Sequence, residues 1–196
     1  MKLALIKYNA GNIRSVINAL GRLGVTAEVT DNPEALRSAD KVIFPGVGEA
    51  STAMASLRQN GLDAVLRSLT QPVLGICVGM QLLCEHSEEN DTVALGIVPV
   101  RVRRFAPADS SVKVPQVGWN KLFDLRSPLF KGIDEGSYVY NVHSYYAEDS
   151  AYSIAHCHYG LTYAAAVRKD NFYGVQFHTE KSADTGDRII QNFLDL

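Results

Sequence analysis

The chain has 196 residues, 46% of them hydrophobic, and 19 Lys and Arg against 21 Asp and Glu leave a net charge of −2. That length suits one domain, residues 1–196, around one core, and near-neutrality without a basic stripe leaves nucleic acid or acidic lipid no electrostatic footprint. Apolar residues run only from Leu3 to Ile6 between Lys2 and Lys7, too short for a signal h-region or membrane span, and three cysteines without a close pair fit a reducing compartment, so a cytoplasmic location is expected.

Lys2–Tyr8 reads as a strand, broken by Asn9-Ala10-Gly11-Asn12, and Ile13, Val16, Ile17, Leu20 and Leu23 follow at helical spacing. The unit recurs as a strand over Ala27–Thr30, a helix over Pro33–Ala39 capped by Asn32, and a strand over Lys41–Phe44. The break Pro45-Gly46-Val47-Gly48 opens onto helices at Ala50–Gln59 and Leu62–Leu69; Pro72–Ile76 is the next strand, ending at Cys77, with a helix through Leu83. This alternation implies a mostly parallel sheet with helices on both faces. After about Asp91 β-rich runs take over, at Val98–Arg104, Gln116–Leu122, Tyr138–Val142, Ser153–Tyr159, Ala164–Arg168 and Tyr173–Gln176, before a last helix over Ala183–Leu194. An antiparallel flap on a flavodoxin-like α/β sheet is the expected architecture, with a surface loop at 106–111.

Gly75-Ile76-Cys77-Val78-Gly79 places a cysteine at a strand-to-helix turn, as in the G-x-S-x-G elbow of serine hydrolases. A free thiol with a pKa near about 8.5 is only a few per cent ionised at neutral pH, and a helix N-terminus supplies only about 0.3–1 kcal/mol toward the anion, so a basic partner is needed. His178 is the candidate, with Glu180 two positions on to orient it; in an extended segment both side chains project to one face. Val47 and Val78 are candidate backbone donors to an oxyanion. Cys84 and Cys157 have no obvious base and read as buried thiols. His156-Cys157-His158 alternates faces on a strand, so no metal site is expected.

Taken together, Pro45-Gly46-Val47-Gly48, Gly75–Leu83 and Gln176-Phe177-His178-Thr179-Glu180-Lys181-Ser182 resemble the class I (triad) glutamine amidotransferases. Tyr8–Ser15 and Val114-Pro115-Gln116-Val117-Gly118-Trp119-Asn120 narrow the resemblance to the glutaminase subunits of imidazole glycerol phosphate synthase, nearly end to end. It implies glutamine hydrolysis through a γ-glutamyl thioester on Cys77, without cofactor or metal, and transfer of ammonia to a separate (β/α)₈-barrel cyclase subunit. It also implies glutamine binding by Gly48, Gln81, Glu89, Ser144 and Tyr145, and a docking face at Asn12, Ser15, Trp119, Tyr140 and Lys181. His143 falls nearby and is expected to be a structural neighbour. The sequence departs from the pattern at Lys7, at Asn9, and at Thr179, where relatives often carry a proline of fixed φ. Other readings of the residues are a glutaminase for anthranilate or GMP synthesis, a stand-alone cysteine hydrolase, and a non-catalytic binding module.

Overall fold

The computed structural model describes residues 1–9, 12–107 and 111–196. Ala10 and Gly11 of the first break, and residues 108–110 of the expected surface loop, lie outside the described residues.

The first half is a parallel sheet: β1 (Leu3–Ile6), β2 (Glu28–Thr30), β3 (Lys41–Gly46) and β4 (Val73–Cys77), with helices α1 (Ile13–Arg22), α2 (Pro33–Ser38), α3 (Ala50–Gln59), α4 (Leu62–Ser68) and α5 (Val78–Leu83) between and after them. Each forms for a local reason. The Asn32 side chain accepts from Glu34 N at 2.8 Å and Ala35 N at 3.3 Å, and Pro33 occupies the first turn of α2, where its missing N–H costs nothing. In α1, Val16, Ala19 and Leu20 fall on one buried face. β3 and β4 are buried along their whole length, as parallel strands covered on both faces must be.

The second half contributes β5 (His86–Ser87), β6 (Thr92–Val93), β7 (Arg101–Arg104), β8 (Gln116–Lys121), β9 (Tyr138–His143), β10 (Tyr145–Ala147), β11 (Ser153–His158), β12 (Thr162–Lys169), β13 (Phe172–Val175) and α6 (Ala183–Leu194). Among the described residues the main sheet runs β2-β1-β3-β4-β13-β12-β10-β7-β5-β6, with β11 paired to β12. β13 is parallel to β4, and β12 turns antiparallel to it. The expected flap therefore divides: among the described residues most late strands widen the main sheet, and only β8 and β9 form a separate antiparallel hairpin. Its residues alternate. Val139, Asn141 and His143 are buried, whereas Val117, Trp119 and Val142 face outward.

β3 runs two residues past Phe44, through Pro45 and Gly46, with Gly46 paired to Cys77. A proline is tolerated there because the β1 side of the ladder ends at Leu5–Ile43, and the Pro45 carbonyl instead accepts from Tyr8 Oη at 2.7 Å. The carboxyl ends of β3 and β4 thus lie side by side, the edge where open α/β sheets take ligands.

Candidate active site

Cys77 is the last residue of β4 and caps α5, with φ 55° and ψ −112°. A left-handed φ at a non-glycine costs on the order of 1–3 kcal/mol, and here it turns the chain sharply enough to present the side chain at the sheet edge. Gly79 makes the elbow possible from the other side: a Cβ there would collide with the Phe44 carbonyl, so only glycine lets α5 sit against β3. Val78 is the first residue of α5, where the backbone N–H lacks an intrahelical acceptor.

His178 follows β13 in extended conformation, but Thr179–Lys181 is a 3-10 turn. The strand alternation expected to align His178 with Glu180 is corrected: the turn folds the carboxylate back onto the ring, with His178 Nδ1 2.8 Å from Glu180 Oε1. The turn is closed by Lys181 N to His178 O and Ser182 N to Thr179 O, both 3.1 Å, so it holds its shape without a proline at 179. Burial pushes the His178 pKa down, but hydrogen bonding and charge from Cys77 and Glu180 outweigh it and raise the value to about 10. With Nδ1 engaged by the carboxylate, the imidazolium is the favoured state beside the sulfur.

The backbone around His178 is tied to the hairpin. His178 N donates to Tyr140 O at 2.9 Å, Tyr140 N donates to Ser182 Oγ at 2.9 Å, and that hydroxyl donates to His178 O at 2.6 Å. Asn12 Nδ2 lies 3.5 Å from Glu180 Oε1, while Glu180 Oε2 is buried with no partner among the described residues.

A cavity of about 360 Å³ opens over Cys77. The residues expected to bind substrate, Gly48, Gln81, Glu89, Ser144 and Tyr145, all border it, as do Val47, Val78 and His178. Gln81 is not on a solvated helix face but buried, its Nε2 donating to Tyr145 O at 3.1 Å. Glu89 Oε2 accepts from Ala50 N at 2.7 Å, at the positive end of α3, and its burial raises the carboxyl pKa.

Pro115, Val142 and His143 border the cavity too, as does Lys181, expected on the docking face. Burial, with the nearby charge of His178, lowers His143 to about 4 against the opposing bond between its Nδ1 and Tyr145 O at 2.8 Å, so the ring stays neutral. Burial raises the Cys84 and Cys157 thiols to about 12, leaving both protonated.

The expected docking residues sit on elements that meet at the Thr179–Lys181 turn: Asn12 and Ser15 at the start of α1, Tyr140 on β9, and Lys181 on the turn itself. Trp119 is 54% exposed and packs edge-on against Tyr140 at 5.7 Å between ring centroids. Among the described residues no group of three His, Cys, Asp or Glu could hold a metal ion.

Two residues given no role by sequence reasoning touch this machinery. Tyr8 braces the Pro45 carbonyl, and burial together with the charge of Cys77 raises its phenol pKa. Gln176 lies beneath the sulfur, with Nε2 3.8 Å from Cys77 Sγ. An aromatic closing a strand and a glutamine two residues before the histidine were the only signals.

Residues 4–196 match the family described as glutamine amidotransferase class-I. The chain is 56% identical, over the full length of both, to the imidazole glycerol phosphate synthase subunit HisH of Bacteroides fragilis strain ATCC 25285. It is 47% identical to subunit HisH 2 of Legionella pneumophila strain Paris, over 99% of this chain and 98% of that one. Among solved structures, one described as a glutamine amidotransferase superposes with a TM-score of 0.76 at 19% identity, covering 100% of this chain and 98% of that one. PurLQS from Thermotoga maritima gives a TM-score of 0.72 at 18% identity, covering 99% and 97%. The chain belongs to the class I glutamine amidotransferases and, within them, to the HisH subunits of imidazole glycerol phosphate synthase.

Proposed function

We propose that this chain hydrolyses L-glutamine to glutamate and ammonia as the glutaminase subunit of an imidazole glycerol phosphate synthase, in the cytoplasm and without cofactor or metal. The observation that carries the reading is the His178 ring, held by Glu180 at 2.8 Å and bordering together with Cys77 a cavity sized for an amino acid. Cys77 Sγ attacks the side-chain amide carbon of glutamine, and the backbone N–H groups of Val47 and Val78 stabilise the oxyanion. The His178 imidazolium gives its proton to the departing nitrogen, which leaves as ammonia from a γ-glutamyl thioester. Neutral His178 then takes a proton from water, hydroxide attacks the thioester, and glutamate leaves as the thiolate and imidazolium reform. Glu180 holds the ring and offsets its charge. Glu89 accepts from the substrate ammonium, with Gly48, Gln81, Ser144 and Tyr145 completing the glutamine pocket.

The partner in this reading is a (β/α)₈-barrel cyclase, bound one to one on the face bearing Asn12, Ser15, Trp119, Tyr140 and Lys181. It joins the ammonia to an N-linked ribulosyl precursor, giving imidazole glycerol phosphate and AICAR. Cys77→Ala in the reconstituted complex abolishes glutamine-dependent synthesis and spares synthesis from added ammonium. Loss of both activities from an intact complex would count against the assignment.

A further inference from the structure

We infer that Gln176 is a catalytic residue whose side-chain amide donates a hydrogen bond to Cys77 Sγ and favours the thiolate, its orientation locked by an amide relay that ends on the Tyr145 carbonyl. The inference rests on Cys77 being the nucleophile. Gln176 follows β13, the strand beside β4, and is fully buried, with its backbone N–H on Ala165 O at 2.8 Å. Its Nε2 is 3.8 Å from Cys77 Sγ, within reach of a hydrogen bond to sulfur.

The polarity of the relay follows from its far end. The Tyr145 carbonyl can only accept, and it takes His143 Nδ1 at 2.8 Å and Gln81 Nε2 at 3.1 Å. Gln81 must therefore present its NH₂ to that side, and the same nitrogen lies 3.0 Å from Gln176 Oε1. Turning Gln176 over would set two NH₂ groups face to face in a buried site; turning both amides would set the Gln81 oxygen against the Tyr145 carbonyl. Either arrangement strands buried polar groups, so the donor end of Gln176 is directed at the sulfur.

The sulfur thus has polar neighbours of opposite character. Val142 O, 4.0 Å away, can only accept from an S–H, whereas Gln176 Nε2 can only donate and the charge of the nearby His178 imidazolium is best met by S⁻. The titratable groups that share the cavity with Cys77 are His178, just before the 3-10 turn, His143 on β9, Glu89 and Lys181, with Tyr8 close by from beyond β1, and none supplies what a neutral, fixed donor does. Gln176 favours the anion at any pH and takes no proton from it.

Iodoacetamide alkylation of Cys77 tests this, followed by mass spectrometry of the Cys77 peptide in the intact chain, for wild type, Gln176→Leu and Gln176→Glu. Removing the donor slows alkylation about tenfold at about pH 7, and the deficit closes toward about pH 10 as rising pH favours the thiolate without that donor. Gln176→Glu keeps an oxygen for Gln81 to donate to, and a wild-type rate in that variant overturns the inference even if the Leu chain does not fold. Wild-type rates at both pH values in the folded variants overturn the inference, as does equal slowing at both, which marks a merely structural role. Failure of wild-type Cys77 to react with an electrophilic glutamine analogue, while iodoacetamide still labels it, would instead sink the glutaminase reading.

Discussion

Gly186→Ala sets two effects of opposite sign against each other. Gly186 is the fourth residue of α6, and an alanine in a helix interior is ordinarily better than glycine by about 1 kcal/mol. Here the added Cβ would run into the carbonyl of Thr179, with Ser182 Cβ a further 2.9 Å contact. A backbone carbonyl cannot rotate away, so the cost falls at the upper end of overpacking, about 3 kcal/mol. The net destabilisation is about 2 kcal/mol, or about 4–8 °C in melting temperature for a chain of this size. Because Thr179 opens the turn that carries Glu180, the shift also disturbs the His178–Glu180 bond. Urea unfolding gives the first quantity and glutaminase turnover with the cyclase the second. An alanine variant as stable as its parent, or more so, would refute the steric argument and leave helix propensity in charge.

The two cavity histidines should titrate on opposite sides of the ordinary value near 6.5, His178 only above about pH 8 and His143 only below about pH 5. With its folded pKa raised, His178 contributes stability that is complete below about pH 6.5 and lost as pH rises through about 10. His143, depressed to about 4, contributes stability that is complete above about pH 6.5 and lost as pH falls through that lower value. Ring proton NMR resolves both, and a midpoint near 6.5 for either contradicts the geometry. Trp119 is the single tryptophan, so its fluorescence should shift to the blue when a barrel cyclase covers it. Trp119→Ala should weaken docking about thirtyfold, about 2 kcal/mol, with little change in melting temperature; unchanged affinity would remove this face from the interface.

The parallel half of the sheet was legible because each strand and helix carries its own periodicity and caps, as at Asn32-Pro33 and around Cys77. The short strands at His86–Ser87, Thr92–Val93 and Tyr145–Ala147 are too brief to show a period, and pairing alone creates them. His178 and Glu180 were identifiable as a pair, yet the reason for their alignment was not: a strand was expected where a 3-10 turn does the work. The Gln81–Gln176 bond spans 95 residues, and no local pattern announces a contact of that range.

Cys77 and His178 share one seam, because β13 leads to His178 and pairs with β4, but only His178 is also bonded to the β8–β9 pair. The sulfur belongs to the rigid seam of β3, β4 and α5, while both backbone polar groups of His178 are fastened, directly or through Ser182, to Tyr140 of the hairpin whose outer side shows Trp119. A tilt of the hairpin would therefore reach the imidazole through its backbone bonds and the thiol only through the sheet, making the gap between the two a gauge of how the hairpin is seated.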